Sequence, residues 1–410
     1  MQPLSGLREL PPPARRFLYF STVNVISWQC LVGPPLVLFG RTLDMPPAWV
    51  GVLIALLPLS MLLVIFTGPM VARLGPRRVL TRGWLLRNLF AATIIAIPWA
   101  IQQWGKSGAW LVLFLATLGF CLFRALSVGG WFPWLHEVLP AHQRGIYLAL
   151  ETALAQVVTI LVVLGCGAIL GQRGSLNGFF LIYGVGITTG LASLGLMRRI
   201  PGGRGPATQP SQGACSALTQ VLRDRAFVRF LTRSFFCLAA MAGQSSIAVM
   251  YLRDILAYSD RRIMYLIAVG GLAVALSIGY WGRRSDQEHN ASIRSETLFA
   301  HAFFALAWLG LIPGRAWTDL LAVAAVIGST VCNAAFTTLT TRDMLGQIRE
   351  PWRIGYTNIW IIISSLATGL VPILAGAAIG WLGLTGFRLC FLASGLGGIL
   401  AALAFSRNSP

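Results

Sequence analysis

Apolar runs of about twenty residues alternate with short polar stretches along the whole chain. Each run is long enough to cross the ~30 Å hydrocarbon core of a bilayer as a helix. The predicted spans lie near 17–40, 48–70, 83–103, 108–133, 146–170, 177–197, 230–252, 260–281, 296–313, 317–340, 354–378 and 386–405. The pattern therefore predicts an all-α membrane protein with twelve transmembrane helices.

One segment of the chain returns 209 positions further on, without a gap between the matched points. The matched pairs are Arg144 and Arg353, Tyr147 and Tyr356, Gly167 and Gly376, and Gly171 and Gly380. A displacement near half of the 410 residues indicates two structural halves. Many membrane transporters are built from such repeats.

The longest polar stretch, 198–229, lies at the middle of the chain. Its prolines and glycines predict a flexible loop, and Ser216 to Phe227 could form a short amphipathic helix on the membrane surface. We predict pseudo-symmetric six-helix bundles at 1–197 and 230–410, joined by this cytoplasmic linker.

Composition excludes a water-soluble domain: 56% of residues are hydrophobic and only 11% are charged. The net charge of +19 could suggest nucleic acid, but the position of the charges argues against it. Alternate loops hold 21 of the 32 Lys and Arg residues, an excess that follows the positive-inside rule. We expect a multi-pass protein of the bacterial cytoplasmic (inner) membrane with both termini cytoplasmic and no nucleic-acid partner.

The sequence offers little that indicates an enzyme, a metal or a cofactor. Of seven cysteines only Cys215 lies in a predicted loop, and no Cys-x-x-Cys pair occurs, so we expect neither disulfides nor a metal. Lys106 is the only lysine and lies in a short loop, which excludes a phosphate-binding Walker loop. The four histidines fall in or near loops or on an outer span, so we expect no catalytic residues.

The loop between predicted spans two and three carries a family motif. It reads Gly68-Pro-Met-Val-Ala-Arg73-Leu-Gly75-Pro-Arg77-Arg and resembles the Gly-x-x-x-Asp-Arg-x-Gly-Arg-Arg pattern of the major facilitator superfamily. Trp-Phe-Pro-Trp from position 131, followed by Pro-x-x-x-Arg144-Gly, resembles the end of span four and the next loop in that family. The resemblance covers the whole chain and implies a secondary transporter.

Gly68, Arg73, Gly75, Arg77 and Arg144 are by this resemblance candidate gating-loop residues. Alanine and proline stand at 72 and 76, where the family pattern has an acid and an arginine. The missing acid helps to lock one state in the family, so we expect another group, Asp286 or Glu137, to take that part.

By the same resemblance, spans 1, 4, 7 and 10 line a central substrate cavity, with spans 2, 5, 8 and 11 beside them. Arg124 lies about sixteen residues into span four and resembles a family arginine that serves proton coupling. An ionisable residue at that depth is a functional candidate, as an anion ligand or a coupling residue. The alternative is an arginine paired with a helix end or a carboxylate.

Glu151 is the one acidic residue clearly within an apolar span. Its carboxylate could pair with Arg124, or take up and release a proton during transport. The alternative is an interfacial glutamate that pairs with Arg144 or another loop arginine. Gln156 could extend a polar stripe from Glu151.

Uncharged polar residues complete the candidate substrate and coupling site. They are Asn24, Trp28 and Gln29 on span one, Gln244 on span seven, Asn333 on span ten and Asn358 on span eleven. Each could contact substrate or hold helices together. Arg87 and Asn88 are predicted to snorkel or to support the arginine loop.

We predict a monomeric secondary active transporter of a small organic solute that works by alternating access, with a proton as the candidate coupling ion and the lipid bilayer as its surroundings. A single deep cation slightly favours an anionic or zwitterionic solute. The alternative is a transporter-like assembly factor or sensor without net transport.

Overall fold

A computed structural model describes residues 7, 10–203, 220–287, 290–349 and 352–406. Within these ranges the chain forms helices joined by short loops, and no strand occurs. The prediction of an all-α membrane protein is confirmed.

The α-helices are numbered in chain order through these ranges. They are α1 (Pro12–Val32), α2 (Pro34–Thr42), α3 (Pro47–Ser60), α4 (Thr67–Leu74), α5 (Pro76–Ala92), α6 (Ile97–Val128), α7 (Trp131–Val138), α8 (Arg144–Leu170), α9 (Leu176–Arg198), α10 (Arg225–Asp254), α11 (Asp260–Gln287), α12 (Asn290–Ala307), α13 (Thr318–Gln347), α14 (Arg353–Leu382) and α15 (Leu384–Ser406). Short 3₁₀ segments at Met61–Phe66, Thr93–Ala96, Ala141–Gln143 and Trp308–Gly310 connect some of them.

Ten helical segments among the described residues are long and apolar enough to cross a membrane. One of them, Pro76–Val128, contains predicted spans three and four, which meet where Gly105 takes a φ of +64°. The ninth predicted span corresponds to α12, whose first half carries Arg294 and Glu296 and lowers its hydropathy. The segments are therefore consistent with twelve spans.

The chain divides into two compact units. The first contains Met1–Met45 and Ser60–Gln212, and the second contains Pro46–Leu59 and Gly213–Pro410. Residues 46–59 thus belong to the second unit, although they fall in the first half of the sequence. The predicted bundle boundaries at 197 and 230 stay a prediction.

Within the second unit, α3 packs on α14 through glycine. A Cβ atom added at Gly51 would lie 2.2 Å from the carbonyl oxygen of Pro372, and one added at Gly376 would lie 2.5 Å from that of Pro47. No side chain fits at such a distance, so the two backbones touch directly. The repeat position Gly376 is therefore a packing residue.

The core of the first unit is aromatic. Phe17, Phe20, Trp84, Trp134 and Tyr147 are fully or almost fully buried in one cluster. Phe17 contacts Phe20 and Trp134 edge to face, an arrangement that aromatic pairs prefer. This cluster joins α1, α5, α7 and α8 and fixes the helices that carry the candidate site.

The repeat tyrosines both lie in a core, but they differ in their partners. Tyr147 is fully buried in the first unit, whereas the hydroxyl of Tyr356 donates to Asp224 Oδ2 at 2.8 Å. Asp224 caps the start of α10 by accepting from the backbone N–H groups of Ala226 and Phe227. The Tyr356 hydrogen bond first, and these N–H groups with it, hold the pKa of Asp224 below its usual value.

The predicted linker is described only in part. Residues 199–203 follow α9, and residues 220–222 form a helical turn before α10. Cys215 and the first four residues of the predicted amphipathic helix, 216–219, lie outside the described residues.

Candidate functional site

Arg124 lies on α6, one turn before the helix ends at Val128. Its guanidinium carbon stands 4.2 Å from the centroid of the Trp28 ring, and Nη1 donates to Met61 Sδ at 3.3 Å. A thioether sulfur is only a weak acceptor, and the stacking contact leaves the donors at the edge of the guanidinium available. The side chain is half-buried.

Arg87, on α5, is fully buried, with a relative exposure of 0%. The expectation that it snorkels to the surface is wrong. Its guanidinium lies between two rings, 4.2 Å from the Trp84 centroid and 4.9 Å from the Phe120 centroid. Aromatic faces on both sides supply part of the stabilisation that water would otherwise give.

Asn24 connects α1 to this arginine. Its side-chain oxygen accepts from Arg87 Nη2 and from Trp84 Nε1, the latter at 3.1 Å. Both lone pairs of that oxygen are therefore used. The amide N–H groups of Asn24 are left as donors for another oxygen.

Neither Arg87 nor Arg124 has an acidic partner within the described part of the chain. Within the described residues no carboxylate lies at ion-pair distance from Arg87 or Arg124, and Arg87 Nε and Nη1 are buried without a hydrogen bond. The two guanidinium groups are close enough for their charges to repel each other. The predicted alternative, in which Arg124 pairs with a carboxylate, is thus not realised among these residues.

Glu151 lies on α8 and is half-buried. Its Oε1 accepts a hydrogen bond of 2.5 Å from Ser21 Oγ on α1. In the part of the chain described, it pairs neither with Arg124 nor with Arg144, whose Nη2 instead lies 3.1 Å from His136 Nδ1. Among the described residues, Glu151 is therefore an acid that a hydroxyl holds and that has no counter-ion to fix its charge.

The uncharged candidates fall into separate groups. Gln29 Nε2 donates to Thr159 Oγ1 at 3.1 Å, which ties α1 to α8 beside the Glu151 contact. In the second unit, Gln244 is buried and donates to Ser329, while the Asn333 oxygen accepts weakly from Thr337 Oγ1 at 3.4 Å. Asn358 is half-buried on α14.

The structure therefore brings together only some of the predicted site residues. In the first unit Asn24, Trp28 and Arg124 join one cluster around the two arginines, which we call the arginine cluster (Asn24, Trp28, Trp84, Arg87, Phe120 and Arg124). Glu151 and Gln29 hold α8 to α1 next to it.

The candidate gating loop makes a sharp turn between α4 and α5. Gly75 has a φ of +81°, a conformation that disfavours any side chain, and Pro76 starts α5 directly after it. Arg77 donates through its backbone N–H to the Gly203 oxygen at 3.0 Å and through Nη2 to the Arg198 oxygen at 2.6 Å. The end of α9 is thereby fastened to the loop.

Glu137 contributes another hydrogen bond that holds the residues after α9 in place. Its Oε2 accepts from the backbone N–H of Gly203 at 2.8 Å, and Trp134 Nε1 donates to the Pro201 oxygen at 2.9 Å. Gly68 and Arg73 are exposed. The side chain of Asp286 lies outside the described set, so its predicted part in gating stays a prediction.

Sequence reasoning missed Arg87 as a site residue. The available signal was a second arginine inside an apolar segment, but span three begins only a few residues before it, and this favoured snorkelling. Its partner Asn24 lies 63 positions away, a separation at which no local pattern reports contact.

Comparisons with known proteins agree with the fold. A family model described as Major Facilitator Superfamily matches residues 17–349. No curated protein matches the chain significantly by sequence.

Three solved structures similar to the chain are transporters of different solutes. The nucleoside transporter NupG has a TM-score of 0.68 at 11% identity, with 97% of this chain and 99% of that chain covered. The D-xylose-proton symporter has a TM-score of 0.67 at 14% identity, with 97% of this chain and 96% of that chain covered. A POT family transporter in complex with 5-aminolevulinic acid has a TM-score of 0.74 at 11% identity, with 98% of this chain and 99% of that chain covered.

These identities are low enough that the structures show the fold alone, whereas the family match spans most of the chain. The protein is therefore an integral multi-pass membrane transporter and no enzyme, and the chain belongs to the Major Facilitator Superfamily.

Proposed function

We propose that this transporter moves a small organic anion by alternating access, with the arginine cluster as the anion-binding part of its site. The observation that carries the proposal is the pair of arginines, Arg87 and Arg124, which lie inside membrane-spanning helices without an acidic partner among the described residues. We place the protein in the bacterial cytoplasmic membrane with both termini inside, on the basis of its alternating loop charges.

Two buried cations without counter-ions are costly in a low-dielectric interior. A bound carboxylate or phosphate would supply the missing negative charge, and a guanidinium fork suits the geometry of either group. Arg124 is half-buried and its guanidinium lies over the Trp28 ring, so it is the arginine that can contact the anion directly. Arg87 is fully buried, so it does not contact the anion and instead adds positive electrostatic potential at the Arg124 side chain.

Transport itself is tested with purified protein in proteoliposomes. We expect one of the anions lactate, glutamate or glycerol 3-phosphate to exchange across the membrane and to raise the unfolding temperature in detergent. Glucose and free lysine serve as neutral and cationic controls. Exchange of glucose or lysine with no anion exchanged would contradict the anion proposal, and binding of an anion without exchange would support the alternative of a non-transporting sensor.

Glu151 is the candidate proton carrier, because it is an acid within a membrane-spanning helix and its carboxylate accepts a hydrogen bond from Ser21 on α1. In Glu151→Gln, we expect uptake driven by an inward proton gradient to fall to the level without a gradient, while anion exchange persists. The glutamine keeps the hydrogen bond to Ser21 but cannot exchange a proton.

Ser21→Ala is the matched control. It removes the hydrogen bond that Glu151→Gln keeps, and it leaves the carboxylate that Glu151→Gln removes. It should retain gradient-driven uptake. Gradient-driven uptake that is unchanged in Glu151→Gln would remove Glu151 as the coupling residue and leave the arginine cluster untouched.

A further inference from the structure

Two side chains of the arginine cluster lie on the same face of α1. Asn24 and Trp28 are four residues apart in that helix, so they stand one above the other. Both are half-buried, as is Arg124, whose guanidinium lies over the Trp28 ring. The Asn24 amide is therefore about one helical pitch, ~5.4 Å along the axis, from the residue on which the Arg124 guanidinium rests.

Two donors fix the orientation of the Asn24 amide. Trp84 Nε1 donates to its Oδ1 at 3.1 Å, and Arg87 Nη2 donates to the same oxygen. Neither an indole nor a guanidinium can accept a hydrogen bond, so a rotated amide would place its N–H groups against two donors. The oxygen must therefore face Trp84 and Arg87, and Nδ2 occupies the other branch of the amide.

The nitrogen of this amide is left for another molecule. In the part of the chain that the structure describes, Asn24 Nδ2 makes no hydrogen bond, and it is not among the buried polar atoms that lack one. Ser27 Oγ and Asn88 Oδ1, by contrast, are buried without a partner. Asn24 Nδ2 is thus open to water or to a solute, whereas these two oxygens are not.

The accessible polar groups of the arginine cluster are all hydrogen-bond donors. The Arg124 guanidinium and the Trp28 indole have no acceptor atom, and the Asn24 oxygen is already used twice. Such a surface suits a solute with an anionic group for Arg124 and a second acceptor for Asn24. A solute without that second acceptor displaces water from Asn24 Nδ2 and does not replace its hydrogen bond.

We propose that Asn24 selects solutes with a second acceptor oxygen, about one helical turn from the anionic group that binds Arg124. The chemical class is that of oxo acids, hydroxy acids and dicarboxylates, and simple aliphatic acids are bound more weakly. The inference rests on the proposed anion site and adds a specificity-determining residue to it. Arg87 and Trp84 are positioning residues, because they hold the amide and are too deeply buried to touch the solute.

The test compares 5-oxohexanoate with hexanoate, which differ in one keto oxygen that accepts hydrogen bonds and does not donate them. Affinity is measured at neutral pH from the rise in unfolding temperature of the intact protein in detergent as each anion is titrated. We expect 5-oxohexanoate to bind on the order of fivefold more tightly, as one net hydrogen bond to a neutral group allows.

Asn24→Asp should abolish this preference. Its carboxylate still accepts from Arg87 and Trp84, so the side chain stays in place, but no N–H group remains for the keto oxygen. The added charge weakens both anions, and the ratio of their affinities is therefore the measured quantity. Because the carboxylate pairs with Arg87, the unfolding temperature should not fall, which separates the loss of preference from damage to the fold.

Asn88→Asp is the matched control. It makes the same change next to Arg87 in the sequence, but Asn88 is only 1% exposed and cannot touch a solute. The preference for 5-oxohexanoate should persist in this variant. The comparison of the intact protein with Asn24→Asp decides the proposal even when Asn88→Asp fails to fold.

Three results would overturn the proposal. Equal affinity for the two anions in the intact protein would show that Asn24 does not contact the solute, and would leave the arginine cluster as the anion site. A preference that survives in Asn24→Asp would assign the second oxygen to another residue. Binding of neither anion would remove the selection by Asn24, and the anion site falls with it only when lactate, glutamate and glycerol 3-phosphate also fail to bind.

Discussion

Arg124→Ala is expected to abolish transport of the anionic solute while the protein still folds. Loss of one partner from a buried, hydrogen-bonded charge pair costs about 2–5 kcal/mol, which corresponds to roughly a thirtyfold or greater loss of affinity. Folding should survive because Arg124 is half-buried and, among the described residues, has no carboxylate partner that its removal would leave unpaired. The measurement is exchange in proteoliposomes, together with the unfolding temperature in detergent.

Two further variants separate charge from geometry. Arg124→Lys keeps the positive charge but loses the planar fork and the stacking on Trp28, so we expect partial activity. Arg173→Ala removes an exposed arginine from a loop of the same unit and should leave exchange unchanged. Full exchange in Arg124→Ala would show that the anion binds elsewhere.

Asp260→Ala is expected to produce the largest loss of stability. Arg253 Nε lies 3.1 Å from Asp260 Oδ1, and the two side chains are 7% and 0% exposed. The sequence places Arg253 in an outer loop, but the structure buries it at the end of α10. Asp260→Ala takes an ion-pair partner away from a buried guanidinium, and the free energy of unfolding should fall by about 3–5 kcal/mol.

The double variant Arg253→Met with Asp260→Leu should recover most of that loss, because apolar residues of similar volume replace a buried pair without charge. The exposed pair of Lys106 and Asp44, whose side chains are 67% and 66% exposed, is the matched control. Asp44→Asn should cost at most about 1 kcal/mol. Denaturation in detergent followed by tryptophan fluorescence measures all three, and equal effects of Asp260→Ala and Asp44→Asn would contradict the assignment.

Long apolar runs made the helical spans predictable, because the bilayer sets their length. The breaks at Gly105 and Gly75 fall in the loops predicted between spans three and four and between spans two and three. The sequence did not show which side chains on different helices contact each other. Arg87 meets Asn24, Glu151 meets Ser21 and Arg253 meets Asp260, and whether each residue snorkels, pairs or lies in a loop depends on which helix faces it.

A surface groove lined by α10, α14 and α15 shows the same limit for small residues. Small residues on α10 and α15 look alike in sequence whether they hold helices in contact or leave space between them. Gly397 does the first, against Ala240, and Ala393 lines the open part. Only the placement of the third helix, α14, separates the two uses.

The burial of Arg87 has a consequence for how the chain is made. As the ribosome delivers α5 to the membrane, an arginine without partners costs roughly 2.5–3.5 kcal/mol at the centre of a lone helix. Its hydrogen-bond acceptor is on α1, which emerges earlier, and the Phe120 ring is on α6, which emerges later. The first helix must therefore stay beside the insertion site until the fourth span has arrived, so the first four spans enter the bilayer as a group.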